Sequence, residues 1–298
     1  MSRYGMPYEG SKSSIAKWVI DVLPSAHTFI DLFAGGCAVT HAAMLSDKYE
    51  KFICNDISGT PYIFREAIRG DFKGYATIPD REGFFISDDV ALKLLYSFGN
   101  SQISFLWGER YEALKVPAER MLTAPSMHER RTHYRTFMNE LKKYVHEVVE
   151  ECKDELQRPH ELEGLERLQR LERLQGLEGL ERLQGLELMV SDYRNVNLPA
   201  DAVVYADPPY RNTGEHYGGF DFDAFDEWLN TVDHPIYVSE YDAPRGCVCI
   251  AERERFGHMS LKNRERPIER IFLQERFAKE ETLGSDLYTK QTGNMELH

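Results

Sequence analysis

Residues 29–36 have the sequence Phe29-Ile30-Asp31-Leu32-Phe33-Ala34-Gly35-Gly36, an apolar run that leads into an acid and then into a pair of glycines. The run predicts a buried strand, and residues 40–45 predict the helix that follows it. A strand, a glycine turn and a helix are the first unit of a nucleotide-binding α/β sheet. The glycines lack the G-x-G-x-x-G spacing of a dinucleotide site, and Asp31 would repel a phosphate. The segment therefore predicts an α/β fold with a cationic or amine-bearing ligand.

A second short strand is predicted about twenty residues later, at residues 52–57, and it ends in Asp56. An acid at the end of the second strand of such a sheet is placed to bind the hydroxyl groups of a ribose. Taken alone, Asp56 could equally cap a helix or close a turn. Two successive strands that end in acids favour a nucleoside ligand.

A third apolar run, Val203-Val204-Tyr205-Ala206, leads directly into Asp207-Pro208-Pro209-Tyr210. The prolines donate no backbone hydrogen bond and stop the predicted strand at Asp207. Ligands of open α/β sheets bind at the carboxyl ends of the strands. There a carboxylate and free carbonyl groups can accept hydrogen bonds from an amine, while the ring of Tyr210 stacks on a flat base. The alternative for this stretch alone is an ordinary turn.

Near the start of the chain, residues 7–12 form a loop that precedes a predicted helix beginning near Ile15. Ser13 or Ser14 can cap that helix. Lys12 is placed to reach the carboxylate of a ligand or a base. The alternative is a solvated surface lysine.

In this order, the segments resemble the Dam-like adenine-N6 DNA methyltransferases, a family that includes many phage enzymes. The resemblance covers about residues 4–100 and 186–275. The matching motifs are the N-terminal cofactor motif at 7–12, the cofactor-binding motif at 31–36, the acidic motif at 55–56, the adenine-contacting segment at 191–194, the catalytic tetrapeptide at 207–210 and a later core strand at 238–241. The N-terminal motif departs from the family at Ser11, where a second glycine is more usual.

The resemblance implies an α/β, Rossmann-like methyltransferase sheet with an inserted, mainly helical target-recognition region. We expect the catalytic core at residues 1–62 and 186–276, the insert at 63–185 and a tail at 277–298. The implied cofactor is S-adenosyl-L-methionine, whose cationic groups suit acidic strand ends and whose ribose suits Asp56. The residues expected to bind the cofactor are Tyr8, Lys12, Asp31, Phe33, Gly35, Asp56, Asp192, Tyr193 and Asp207.

The activity implied is site-specific transfer of a methyl group to the N6 amine of an adenine that has been flipped out of duplex DNA. Asp207 and the Pro208 carbonyl are expected to accept the two amine hydrogens while Tyr210 stacks on the base. Residues 212–219, with Tyr217, are expected to close over the site. The reaction requires no metal.

Double-stranded DNA is the expected partner, although the net charge of −13 opposes binding to phosphates. Basic residues are concentrated in residues 108–146 and 252–276, and such patches attract DNA locally. Solvated helix faces with paired charges are the alternative. The residues expected to bind DNA are Asn100, Arg130, Arg131, Arg135 and Lys142. We expect a monomer or weak dimer.

The composition fits a globular protein of one large or two modest domains, since 42% of the 298 residues are apolar. No apolar run reaches the length of about 18 residues that a membrane span requires. The five scattered cysteines favour reduced thiols. We therefore expect a cytoplasmic location, in a bacterial cell or a phage-infected host.

Residues 162–188 contain leucine at every third position, with several glycines. A period of three does not keep leucines on one face of an α-helix, so the sequence favours a linker and leaves its conformation open. Further elements are predicted as helices at 127–150 and 221–229 and as strands at 236–239, 247–250 and 269–273. The last two strands suggest an antiparallel hairpin.

Three other functions remain open at this point. An RNA adenine-N6 methyltransferase could share the same core. A glutamine-amide methyltransferase usually carries asparagine where this chain has Asp207. A non-catalytic nucleic-acid-binding module could keep the fold, but the acids at positions 31, 56 and 207 argue against that alternative.

Overall fold

The computed structural model describes residues 4–6, 8, 10–69, 77–97, 102–105, 107, 112–151, 185–211, 219–254 and 268–279. The chain forms two compact units. We call residues 12–34, 38–59 and 184–298 the sheet unit, and residues 1–11, 35–37 and 60–183 the helical unit. The division into a catalytic core and a target-recognition insert stays a prediction about function.

The described strands are β1 (Thr28–Asp31), β2 (Lys51–Asn55), β3 (Leu186–Met189), β4 (Ala202–Ala206), β5 (Ile236–Glu240), β6 (Cys247–Glu254) and β7 (Ile268–Gln274). They form one sheet in the order β3-β2-β1-β4-β5-β7-β6. Strands β1 to β5 pair in parallel, and β7 is antiparallel to both β5 and β6. The predicted Rossmann-like sheet and the antiparallel closing pair are therefore confirmed. The direction of strand progression reverses between β1 and β4, which is where such sheets bind ligands.

Three central strands, β1, β4 and β5, are buried along their whole length. Both of their faces are covered, which explains why the sequence shows continuous apolar runs rather than alternation. Helix α8 (Phe222–Thr231) covers part of the sheet, and its Phe225 and Leu229 pack with Ile30, Val204 and Val238. The predicted helix is confirmed, and the side chain of Asp221 caps it by accepting a hydrogen bond from the backbone N–H of Ala224.

Helices α1 (Ala16–Val22) and α2 (Ala38–Met44) pack against each other in the sheet unit. The suggested serine cap is wrong, because Ile15 occupies the N-cap position and no side chain caps the helix. At the other end of α1, Lys48 Nζ donates to the carbonyl groups of Ile20 and Leu23. A lysine from a distant loop thus satisfies the carbonyls that the helix leaves open.

The described part of the helical unit contains five helices: α3 (Thr60–Arg69), α4 (Arg81–Ile86), α5 (Val90–Tyr96), α6 (Glu112–Thr123) and α7 (Met127–Glu151). Helix α7 confirms the helix predicted at 127–150. Phe137 and Leu141 are buried, as expected of core residues, whereas Tyr134 is 39% exposed. Among the described residues, no helix combines the length and apolar character needed to cross a membrane.

The leucine-rich segment ends inside the sheet. Residues 162–184 lie outside the described residues, but Leu186 to Leu188 form most of the edge strand β3, which pairs with β2. Gly185 precedes this strand with a φ of 90°, and a Cβ atom there would lie 2.7 Å from the carbonyl oxygen of Glu50. Glycine is therefore required where the chain enters the sheet.

Candidate active site

Three carboxylates lie at the carboxyl ends of neighbouring parallel strands in the sheet unit. Asp31 is the last residue of β1 and pairs in register with Tyr205 of β4 and Cys54 of β2. Asp207 follows β4, and Asp56 follows β2. The negative charges of Asp207 and Asp56 both raise the pKa of Asp31, so the three groups are close enough to interact. The structure thus brings these acids to one edge of the sheet.

Asp31 is 1% exposed, and the two oxygens of its carboxylate differ in their hydrogen bonding. Oδ2 accepts a hydrogen bond of 2.8 Å from Thr40 Oγ1, whereas Oδ1 is buried and has no hydrogen-bond partner among the described residues. Burial raises the pKa of Asp31 to about 7, against the opposing effect of the Thr40 hydrogen bond. A buried carboxylate oxygen without a partner is costly, and an ammonium ligand would satisfy it. The site therefore fits the cationic amino group of S-adenosyl-L-methionine.

Asp56 closes a tight turn after β2. Its Oδ1 accepts hydrogen bonds from the backbone N–H of Ser58 at 2.8 Å and from Ser58 Oγ at 2.5 Å. Asp56 therefore closes a turn, which is one of the alternatives that the sequence allows for this residue. The carboxylate is still largely buried beside Asp31, and its contact with a ribose stays a prediction.

Lys12 lies at the centre of the charged cluster. Its Nζ is 2.8 Å from Asp207 Oδ1 and 3.3 Å from Glu269 Oε1. The same ammonium lies 4.3 Å from the centroid of the Tyr210 ring, within the range of a cation–π contact. Because Lys12 is 5% exposed, the alternative of a solvated surface lysine is wrong. The sequence predicts that Lys12 contacts a ligand, whereas in the structure its ammonium contacts the carboxylate of Asp207.

Tyr210 is fixed by contacts at its hydroxyl group and its ring. The hydroxyl group donates a hydrogen bond to Oε1 of Glu269, in β7. The ring packs at 84° against Tyr241, with the two centroids 4.6 Å apart. Burial, followed by the charges of Asp207 and Glu269, raises the pKa of Tyr210, so the phenol stays protonated. The ring that was expected to stack on a base is therefore held rigidly.

Glu240, at the end of β5, holds the chain that leaves the tetrapeptide. Its carboxylate accepts hydrogen bonds from the backbone N–H groups of Arg211 at 2.7 Å and Tyr241 at 2.6 Å. Burial raises the pKa of Glu240, and these two hydrogen bonds oppose the shift. The Arg211 guanidinium in turn binds Asp226 of α8 at 2.7 Å. Sequence reasoning singled out residues 238–241 as a core strand and missed this supporting role.

An aromatic cluster lies beside the acids in the sheet unit. Phe33 contacts Tyr193 at a centroid distance of 5.2 Å and Phe220 at 5.8 Å, and Tyr193 packs against Trp228 at 4.9 Å. Asp192 caps the short turn that carries Tyr193, and pairing with Arg194 lowers the pKa of Asp192. Phe33 and Tyr193, both expected to bind the cofactor, are thus neighbours.

Tyr8 and Gly35 belong to the helical unit, where they pack together. A Cβ atom on Gly35 would come within 2.8 Å of the Tyr8 ring, and one on Gly36 would lie 2.8 Å from the carbonyl oxygen of Met6. The Met6 N–H also donates to the Gly36 carbonyl at 2.7 Å. Tyr8 and Met6 of the N-terminal segment therefore occupy the space that a side chain would fill at Gly35 and Gly36. A close approach to a ligand stays a prediction.

The basic residues expected to bind DNA lie on α7. Arg131, Arg135 and Lys142 are exposed, and Arg130 is half-buried. At 3.6 residues per turn, positions 131, 135 and 142 fall within about 40° of one another on the helix surface. These three residues form a single exposed stripe, which we call the basic stripe. Asn100 and the loop at 212–218 lie outside the described residues.

No group of three or more His, Cys, Asp or Glu residues within the described ranges is arranged to hold a metal ion. Cys37, Cys54, Cys247 and Cys249 form no disulfide bond within the described part of the chain. Cys152 lies outside the described residues.

Residues 8–84 match a family model, that of the D12 class N6 adenine-specific DNA methyltransferases. The resemblance predicted from the sequence motifs is thereby confirmed for this segment, and it supports an enzyme that methylates adenine. The match contains Lys12, Asp31 and Asp56 and ends before the tetrapeptide.

No curated protein matches the chain. Among solved structures, the chain is similar to one described as an rRNA methylase from Streptococcus thermophilus, with 9% identity over 88% of this chain and 94% of that chain, and a TM-score of 0.28. A TM-score of this size does not indicate a shared fold, and the Rossmann-like fold is assigned from the strand order and pairing.

Proposed function

We propose that this protein is a site-specific DNA methyltransferase that uses S-adenosyl-L-methionine to methylate the N6 amine of a flipped-out adenine. The observation that carries the proposal is the convergence of Asp31, Asp207 and Tyr210 at the carboxyl end of the sheet, beside the reversal between β1 and β4. The family match over residues 8–84, which contains Asp31 and ends before Asp207 and Tyr210, supports the same reaction.

Most of the residues proposed to hold the cofactor belong to the sheet unit. The buried Asp31 Oδ1 suits the ammonium group, Asp56 suits the ribose, and Phe33 with Tyr193 offers aromatic surface to the adenine. Bound there, S-adenosyl-L-methionine would supply an electrophilic methyl group on a sulfonium that leaves as a neutral thioether. Tyr8, Lys12, Gly35, Asp192 and Asp207 are also proposed to contribute to cofactor binding.

Asp207, Pro208 and Tyr210 would prepare the target amine. The lone pair of an adenine amine is delocalised into the ring, which makes the nitrogen a poor nucleophile. The Asp207 carboxylate and the Pro208 carbonyl would accept hydrogen bonds from the two N–H groups of the amine and draw the nitrogen towards tetrahedral geometry. After it gains the methyl group, the nitrogen would lose one proton to solvent. Tyr210 stacks on the base and sets its plane. Positioning and charge complementarity therefore supply most of the rate enhancement.

The contacts of Tyr210 limit the ring surface that a base could use. The Lys12 ammonium lies over the ring at 4.3 Å from its centroid, the Tyr241 ring packs against it at 84°, and the hydroxyl group is bound to Glu269. A stacked adenine would therefore use the ring surface that Lys12 and Tyr241 leave open. Its amine would approach Asp207, which is separated from Tyr210 by only two prolines.

The DNA backbone would be bound by the basic stripe, with Arg130 and Asn100 as further contacts. The stripe presents three positive side chains from one face of α7, in a protein whose net charge is −13. Such a local concentration of charge is what phosphate binding requires. The proposed enzyme acts as a monomer or weak dimer in the cytoplasm of a bacterial cell or phage-infected host, with or without a restriction partner.

Expression in a host that lacks DNA methylation tests the proposal. Mass spectrometry of nucleosides from the genomic DNA is expected to detect N6-methyladenine, and ribosomal RNA from the same cells serves as the second arm. Methyladenine that rises in RNA and not in DNA would replace the proposed substrate with RNA. Absence of new methyladenine from both would reject the proposed function.

A further inference from the structure

Glu269 is a wholly buried carboxylate that touches two residues of the proposed active site. It lies in β7, is 0% exposed, and corresponds to none of the motifs that identify the site. Its Oε1 accepts the hydrogen bond from Tyr210 and lies 3.3 Å from Lys12 Nζ. A buried charge of this kind is retained in a core only when it is paired and hydrogen-bonded, as Glu269 is.

Lys12 is shared between two carboxylates from different strands. Its ammonium has three donors, and it lies 2.8 Å from Asp207 and 3.3 Å from Glu269. Lys12 is 5% exposed, so water contributes little to its solvation. The shorter contact shows that, in this state, the ammonium engages the acid that the reaction needs as an acceptor for the amine.

Because two carboxylates lie within reach, the Lys12 ammonium can exchange Asp207 for Glu269 as its partner. When Asp207 turns to an incoming amine, an ammonium with no second carboxylate would lose its ion pair inside the protein, which is costly. Glu269 already lies within reach of Lys12, so the ammonium can move towards it without returning to water. The same carboxylate fixes the Tyr210 hydroxyl group and thereby the plane of the ring.

We propose that Glu269 is a positioning residue for methyl transfer, which anchors Tyr210 through its hydroxyl group and retains Lys12 while Asp207 binds the target amine. The inference rests on the proposed function and adds a residue to it. Glu269 acts through Tyr210 and Lys12 and contacts neither the base nor the cofactor.

The variant Glu269→Gln tests this role, because glutamine keeps an oxygen that can accept from Tyr210 and removes the charge that retains Lys12. We expect kcat on DNA to fall roughly 10- to 100-fold, the range expected when reacting groups are misplaced by up to about 1 Å. The Kd for S-adenosyl-L-methionine, measured by calorimetry without DNA, is expected to stay within about twofold, because Lys12 remains paired with Asp207 in the variant as long as no target amine is bound. The matched control is Glu187→Gln, an exposed glutamate in strand β3, which should leave both values unchanged.

Tyr210→Phe provides a second variant that keeps both carboxylates and removes only the hydroxyl group bound to Glu269. Its kcat is expected to fall, and the double variant is expected to lose less than the product of the two single effects, since the residues act as a unit. If Glu269→Gln does not fold, as judged by thermal melting, a folded Tyr210→Phe variant with unchanged kcat overturns the proposal.

The outcomes separate this inference from the proposed function. Wild-type protein that methylates DNA, together with a Glu269→Gln variant of unchanged kcat, overturns the role of Glu269 alone. A fall in kcat that is matched by an equal loss of cofactor affinity also overturns it, because that result indicates general damage to the fold. Wild-type protein that methylates no nucleic acid rejects the proposed function itself.

Discussion

Lys12 Nζ lies 2.8 Å from Asp207 Oδ1, so a residue of the segment before α1 is bound to the first residue of the tetrapeptide after β4. The two residues belong to separate sequence motifs, the N-terminal cofactor motif and the catalytic tetrapeptide. Their contact makes Lys12 part of the proposed catalytic centre. It also means that the charge of Asp207 is balanced within the protein before any substrate binds.

Replacing Lys12 with methionine is expected to destabilise the protein and reduce methyl transfer. Removal of the ammonium leaves Asp207 and Glu269 as uncompensated charges, and breaking a buried ion pair in this way costs about 3–5 kcal/mol. Thermal melting and kcat measure the two effects. Lys17→Met is the matched control, because Lys17 is 70% exposed and its ion pair with Asp21 contributes little. Equal stability of the two variants would show that the buried cluster does not depend on Lys12.

Replacing Asp31 with asparagine is expected to change how stability depends on pH. The folded-state pKa of Asp31 is about 7, above the ordinary value of 3.8, so the folded protein retains a proton that the unfolded chain loses between these values. Stability therefore falls as the pH rises from about 4 to about 7, and the full penalty is present above pH 7. Asp31→Asn should remove this penalty and flatten the profile over that window. Denaturant unfolding at several pH values measures it, and parallel profiles for the two proteins would contradict the assignment.

The raised pKa of Asp31 also predicts how the affinity for the cofactor depends on pH. The ionised carboxylate binds an ammonium group better than the neutral acid does, so the affinity for S-adenosyl-L-methionine should increase as the pH rises through about 7. The Asp31→Asn variant should bind weakly and show no such increase. Calorimetric titration between pH 6 and 8, a range that spans the Asp31 pKa of about 7, provides the measurement. Tight binding by the variant would exclude Asp31 as the partner of the ammonium.

Replacing Glu240 with glutamine is expected to reduce kcat while leaving cofactor binding nearly intact. The amide has one acceptor oxygen where the carboxylate has two, so the N–H of Arg211 or Tyr241 loses its partner. Leaving a buried donor unsatisfied costs about 1–3 kcal/mol and releases the chain that follows Tyr210. The comparison of kcat with cofactor Kd tests this account. A variant with wild-type kcat would show that the tetrapeptide keeps its position without Glu240.

Alanine substitutions in the basic stripe are expected to weaken DNA binding in a salt-dependent manner. If Arg131 and Arg135 each contact one phosphate, each substitution should reduce the slope of log K against log salt by about 0.9. Fluorescence anisotropy with duplex DNA at several salt concentrations measures the slope. Lys17→Ala is the control, since this lysine is paired with Asp21 on α1. An unchanged slope in both arginine variants would remove the stripe from the DNA interface.

The convergence of the acids could be predicted from the sequence. Asp31, Asp56 and Asp207 each follow an apolar run, and the carboxyl ends of adjacent parallel strands must share one edge of the sheet. The order of the strands required the resemblance to a known family, because apolar periodicity does not specify which strands are neighbours.

Glu269 and the strand at Leu186–Met189 could not be predicted in the same way. An acid within a predicted strand is normally exposed, and only the pairing of β7 with β5 and β6 buries Glu269 near Lys12. Leu186 continues a repeat whose period of three indicates a linker, and the alternation of Leu186 and Leu188 that marks a strand is too short to stand out. In both cases tertiary contacts determine the environment of the residue.

The Asp207→Ala variant tests the central claim most directly, because that claim assigns the acceptance of the target amine to this carboxylate. With DNA from a methylation-free host and saturating S-adenosyl-L-methionine, we expect methyl transfer to fall by at least about 100-fold, comparable to the loss of one preorganised hydrogen-bonding group. Cofactor binding, measured separately by calorimetry, should survive in part. Full methyl transfer by a folded Asp207→Ala variant would contradict the proposed mechanism.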